Sequence, residues 1–198
     1  MRRESDRRRY ANSPYAWLFQ PYMGEELVAL SCHGVEHGVL SVAAVPFTQR
    51  TIKTSDAYVM TLLPSEAAVR QFSLMLSQRQ HQLQHVPQRT EIMDETNLGE
   101  LVAHIGNRPL LGWGLRRQLS LLNQALNTHL DFTLPNAQVD LDLFNRRELQ
   151  RRQPCIDPPV SLRHAAARFR IPLYSFSSLL DQASASALLY QRLQRLTD

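Results

Sequence analysis

A chain of 198 residues that is 43% hydrophobic can bury one core, which excludes an extended low-complexity tail and a disulfide-stapled miniprotein. Its net charge is +4, almost all of the positive charge being arginine because Lys53 is the only lysine, and arginine forks suit phosphates and carboxylates equally. Two cysteines, Cys32 and Cys155, without C-x-x-C spacing argue against a structural zinc site and for a reducing compartment.

The first residues are arginine-rich rather than apolar, so no leader is expected, no run reaches membrane-spanning length, and the expected location is cytoplasmic. Arg2, Arg3, Arg7, Arg8 and Arg9 make residues 1–12 a flexible basic arm; residues 13–198 form one domain. Ser13 to Phe19 reads as a short helical turn with Pro14 near its start. Glu25 to Cys32 and Gly38 to Val45 are apolar, β-rich runs joined by a glycine-flanked turn, and they predict two adjacent strands. The first is buried on both faces and therefore central, with Ser31 and His33 on one face at its carboxyl end. Arg50 to Leu63 predicts a third antiparallel strand, stopped by Pro64, so the domain opens on a meander. Ser65 to Val86, rich in Gln and His (Gln78, Gln80, His81, Gln82, Gln84, His85), predicts an exposed polar helix or an irregular arm.

Asn97 is the expected cap of a helix carrying Leu98, Leu101, Val102 and Ile105 and ending at Gly106-Asn107 before Pro109. Pro109 to Gly112 reads as a short buried strand, and Leu115, Leu119, Leu122 and Leu126 recur at helical spacing to about Asn127. Val139 to Leu143 predicts a fifth strand leading into a charged helix over 146–152. Ser161 caps a helix over 162–169, and a last helix runs from Ser177 to about Leu196.

The order of these elements and several strings resemble the DEDDh family of 3′-5′ exonucleases, which includes the ε subunit of bacterial DNA polymerase III and RNase T. The strings are Glu26-Leu27-Val28-Ala29-Leu30-Ser31-Cys32, Ile105 to Gly112 with Leu121-Leu122-Asn123, Leu134-Pro135-Asn136, and Ile171-Pro172-Leu173 leading to Asp181-Gln182-Ala183. The resemblance spans roughly residues 22 to 193. It implies an α/β, RNase H-like exonuclease fold, with a mixed sheet of about five strands, the antiparallel meander first, and helices on both faces. It also implies two Mg²⁺ or Mn²⁺ ions held by four carboxylates, with a histidine as general base. Here the matching positions carry Ser31, His33, Gln118, Ser177 and Gln182, so no catalytic residue, no metal ligand and no cofactor is expected. Two dications about 3.5–4 Å apart need anionic ligands to offset their repulsion, and all four formal charges are gone.

Neighbouring acids do not restore the set. Asp181 is rotated about 100° from Gln182 on a helix, and Glu36 lies in a turn. His33-Gly34-Val35-Glu36-His37 matches H-x-x-E-H, but its glycines and strand context deny it the helix that a zinc protease requires. Cys32 and His33 point to opposite strand faces, which leaves Cys32 a buried structural thiol. Arg116 and Arg117 flank Gln118 and are placed to hold a phosphate without cleaving it, or else lie on a solvated helix face. Trp113 either stacks on a base or packs.

The leading expectation is a catalytically inactive exonuclease-like domain, binding single-stranded nucleic acid or a protein partner, as a homodimer or beside an active relative. Two alternatives stand beside it. One is a weakly active exonuclease using Glu36, Asp181 and Asp140 or Asp142; the other is a purely structural partner subunit.

Overall fold

In the computed structural model, which describes residues 7–35, 38–78, 89–152, 155, 157–175 and 177–197, alternation of apolar residues builds a strand with two dry faces at β1 (Leu27–Val35). Val28, Leu30 and Cys32 enter one core and Ala29 the other, so β1 is the centre of the molecule. It pairs antiparallel with β2 (Val39–Phe47), and β2 pairs antiparallel with β3 (Tyr58–Leu63). Beyond β3 lies β4 (Thr90–Ile92), parallel to it; on the other side β5 (Leu110–Gly112) and β6 (Gln138–Asp140) run parallel to β1. The order is β4-β3-β2-β1-β5-β6.

The sheet therefore has six strands rather than five. The additional strand, β4, is three half-buried residues without an apolar run, and it is held by Thr61 N–H donating to Arg89 O at 2.9 Å and Met93 N–H donating to Leu63 O at 2.7 Å. Pairing along a neighbour, rather than local hydrophobicity, makes it a strand. The third strand is also shorter than its apolar stretch suggests. Ile52 makes an isolated bridge to Phe47, a 3₁₀ turn covers Thr54–Asp56, and pairing starts only at Tyr58.

Helices cover both faces. The remaining helices are α1 (Glu66–Gln78), α2 (Glu95–Ile105), α3 (Leu115–Leu130), α4 (Leu141–Arg152), α5 (Leu162–Arg168) and α6 (Leu179–Thr197). Leucines of α2 and α3 close over Val28, Leu30 and Val42, whereas α4, α5 and α6 close over Ala29, Ala43 and Val45. Small residues on the second face (Ala29, Ala43, Ala183, Ala187) let α6 lie close to the sheet.

Three helix starts differ from expectation or confirm it for visible reasons. The cap of α2 is Asp94, whose carboxylate accepts the Asn97 N–H at 2.8 Å; Asn97 instead spends its amide on Ile92 O at 3.0 Å. α4 begins at Leu141, five residues before the expected start, because Asp140 Oδ1 accepts the Asp142 N–H at 3.1 Å and turns the chain directly out of β6. Ser161 does cap α5, accepting the His164 N–H at 3.3 Å. The Gln- and His-rich positions Gln80, His81, Gln82, Gln84 and His85 lie outside the described residues, as do Arg2, Arg3, Glu36 and His37.

The amino end of the sheet carries its own charge network. Glu26 accepts from Arg108 Nη1 at 2.8 Å and from Lys53 Nζ, while Arg108 also donates to Ile105 O at 3.0 Å and to His104 O, capping α2. The hydrogen bonds from Lys53 and then Arg108 hold the Glu26 carboxyl below its ordinary range. A lowered folded value means stability present above the ordinary glutamate pKa and lost as pH falls through the folded one. Glu26→Gln is therefore expected to cost about 1–2 kcal/mol at neutral pH, with the gap to wild type closing below about pH 4 in urea melts. A gap that is constant with pH would remove the charge from this account.

Candidate functional site at the carboxyl end of the central strand

Beyond Ala29, β1 and β5 separate. Val28 N–H donates to Pro109 O at 2.9 Å, and in a parallel ladder the same edge next presents Leu30 and then Cys32. By then β5 has ended at Gly112. Gln118, in the first turn of α3, fills the missing rung: its Oε1 accepts the Cys32 N–H at 2.8 Å and its Nε2 donates to Trp113 O at 2.8 Å. One side-chain amide thus splices two diverging backbones, satisfying a donor on one and an acceptor on the other. Gly112 makes room for it, since a Cβ there would lie 2.9 Å from Leu30 O and 3.6 Å from Gln118 Nε2. Gly114, at φ 60°, then turns the chain into α3 without a side-chain cap.

On the opposite face of β1, Ser31 is 5% exposed and its Oγ–H donates to Gln182 Oε1 at 3.4 Å. Gln182 Nε2 donates onward to Ser177 O at 3.3 Å. The Ser177 hydroxyl accepts the Tyr174 N–H at 2.8 Å and so belongs to the turn that precedes α6. His33 stands exposed one step beyond Ser31, opposite Ser41 in the ladder, and Ser41 shares a 2.9 Å hydrogen bond with the fully buried Thr61. Polar groups thus continue from the carboxyl end of β1 across β2 to β3.

Of the five positions singled out in the sequence, Ser31, Gln118, Ser177 and Gln182 are each bonded into the structure around this one strand end, and His33 lies at its rim. No acid joins them among the described residues, where no group of three or more His, Cys, Asp and Glu side chains converges. Asp181 is occupied elsewhere: its Oδ2 accepts from Ser178 N–H and Oγ, both at 2.9 Å, while Ser178 Oγ accepts the Asp181 N–H at 3.1 Å, a reciprocal cap that starts α6. Asp142 accepts from Arg146 Nε at 2.8 Å, and Asp140 holds the β6–α4 turn. The described side chains at this strand end do not suit a pair of divalent cations.

Cys32 points into the first core, and burial pushes its thiol up to about 12, far from a thiolate nucleophile. The described half of H-x-x-E-H, His33 to Val35, is strand. Arg116 and Arg117 are both exposed on the first turn of α3 and form no ion pair among the described residues. Trp113 packs partly against the second core, its carbonyl engaged by Gln118. Sequence reasoning passed over Tyr174, 78% exposed at the same end. A tyrosine between Pro172 and Ser177, outside any helical or strand periodicity, was its only signal.

Clefts lie at both ends: one of roughly 370 Å³ sits at the carboxyl end of β1, lined by Gly34, Leu40 and Leu121. Grooves of roughly 370 and 520 Å³ meet at Phe19 and Pro135 to Ala137, near the amino ends of β5 and β6. Arg7 and Arg9 line them, Arg7 donating to Gln20 Oε1 at 2.6 Å.

Fold and site define an α/β protein with a mixed six-stranded sheet whose central strand ends in a neutral, hydrogen-bonded polar cluster. No family model matches the sequence, and no curated protein matches it either. Among the described residues no helix is long and apolar enough to cross a membrane.

Proposed function

We propose that this chain is a catalytically silent, RNase H-like domain of the DEDDh exonuclease type that binds single-stranded nucleic acid without cleaving it. The observation that carries the reading is the convergence on one strand end of Ser31, His33, Gln118, Ser177 and Gln182, positions far apart in sequence and chosen for their match to one site. Two dications about 4 Å apart repel each other by roughly 15 kcal/mol at an effective dielectric of about 20, which neutral amides and hydroxyls do not offset. What remains is recognition. The uncapped start of α3, with Arg116 and Arg117 in its first turn and no acid there, favours anions, and guanidinium forks fit phosphate.

Labelled oligodeoxynucleotides and oligoribonucleotides incubated with Mg²⁺ or Mn²⁺ are expected to keep their ends and to be retained in a salt-sensitive way. Arg116→Ala with Arg117→Ala is expected to weaken retention and lower the log–log salt slope by about 1.4. Degraded ends, or unchanged affinity in the double variant, would count against the reading. A protein that binds neither strand at low salt while a partner co-purifies is a structural subunit.

A further inference from the structure

We infer that Tyr174 is a base-stacking platform, so that the strand proposed above is held through its bases as well as its phosphates; the inference rests on that reading. Tyr174 is 78% exposed, yet its backbone is pinned. Its N–H donates to Ser177 Oγ at 2.8 Å, Ser177 N–H returns to Tyr174 O at 3.2 Å, and the adjacent Ser175 hydroxyl accepts from Arg163 Nη1. The ring therefore projects from a backbone position held by hydrogen bonds, and stacking on it orders little besides the side chain. That turn leads into α6, whose Gln182 reaches Ser31, which sets Tyr174 at the same sheet end as His33 and the first turn of α3. Its hydroxyl makes no hydrogen bond among the described residues. An exposed aromatic beside an arginine, Arg163, that forms no ion pair among the described residues is the pairing that single strands require: a π-face for an unstacked base and a cation for the backbone. A duplex keeps its bases stacked and offers the ring nothing.

Fluorescence anisotropy with a labelled oligothymidylate of about twelve nucleotides, a length one such surface can span, separates the terms when repeated with an abasic strand of equal length. Tyr174→Ala is expected to weaken the oligothymidylate by about tenfold, Tyr174→Phe to bind as wild type does, and the abasic strand to bind all three alike. The salt slope should not move, because no charge is removed. If wild type binds the oligothymidylate and Tyr174→Ala binds it equally, the inference fails while the proposed function stands. Equal losses on both strands would likewise overturn stacking. Wild type that binds neither strand at low salt overturns the proposed function, and the inference with it.

Discussion

Replacing Gln118 by leucine is expected to destabilise the protein by about 3 kcal/mol, because the change strands the Cys32 N–H and the Trp113 carbonyl together, each costing about 1–3 kcal/mol when left unpaired. Gln118→Glu separates the two halves of the splice. A carboxylate still accepts from Cys32 but meets the Trp113 oxygen with no proton to offer, while the start of α3 gives back part of the loss by favouring negative charge. Its cost at pH 7 should be smaller, about 1–2 kcal/mol, and should depend on pH. The neutral acid is the form that can donate, so the folded pKa of the introduced glutamate is raised. Stability is then full below the ordinary glutamate value and lost as pH rises through the folded one. Urea melts of both variants at pH 4 and pH 7 check this: Gln118→Leu should be equally weak at both, and Gln118→Glu should recover at the lower. A leucine variant that melts with wild type would show that the rung is dispensable.

The splice bears on function as well as on stability. A metal-binding acid at this position would have to leave the backbone, yet here the side chain at 118 is what joins β1 to the end of β5. Restoring carboxylates would therefore remove a structural bond before it created a ligand. At Ser31 the partner is Gln182, which in turn holds the Ser177 carbonyl and so fixes the turn that presents Tyr174. These hydrogen-bonded groups keep the carboxyl end of β1 in shape.

How far the chain could be read from sequence follows from how local each cause is. β1 and β2 were legible because their alternation is imposed by two adjacent cores, and α5 because Ser161 is its own signal. β4 was not, since Thr90–Ile92 becomes a strand only by lying along β3. Asp94 was passed over for Asn97 because both are capping types three residues apart, and only the direction of their side chains decides between them. The positions at the end of β1 were singled out through resemblance alone. Their bonds were not legible, because the rung filled by Gln118 exists only where two strands diverge, which no spacing records. Tyr174 was invisible for the opposite reason, as exposure of a loop aromatic is a property of the whole fold.

Phe132→Ala is expected to give the largest loss of any single change considered, about 3–4 kcal/mol, lowering the melting temperature by about 10 °C. The ring is 1% exposed and lies where the amino-terminal segment meets the body. Its centroid is 5.0 Å from Tyr15 and 6.3 Å from both Tyr10 and Phe19, and Tyr10 stacks on Phe19 at 4.6 Å while donating its hydroxyl to Asp131 O at 2.8 Å. Removing Phe132 therefore leaves three aromatic rings without their common neighbour and a cavity that the rigid ends of α3 and β6 cannot close. Arg7 and Arg9 should become accessible to trypsin well below the melting temperature, since this cluster is what fastens their segment. Affinity for oligothymidylate, measured where the variant is fully folded, should not change. The 16 residues of α3 set its two ends roughly 24 Å apart, with Phe132 beyond one and Arg116 at the other. A variant that stays folded and protease-resistant but loses the nucleic acid would move the binding surface to the amino end of the sheet, where Arg7 and Arg9 each line a groove, and would remove Arg116, Arg117 and Tyr174 from it.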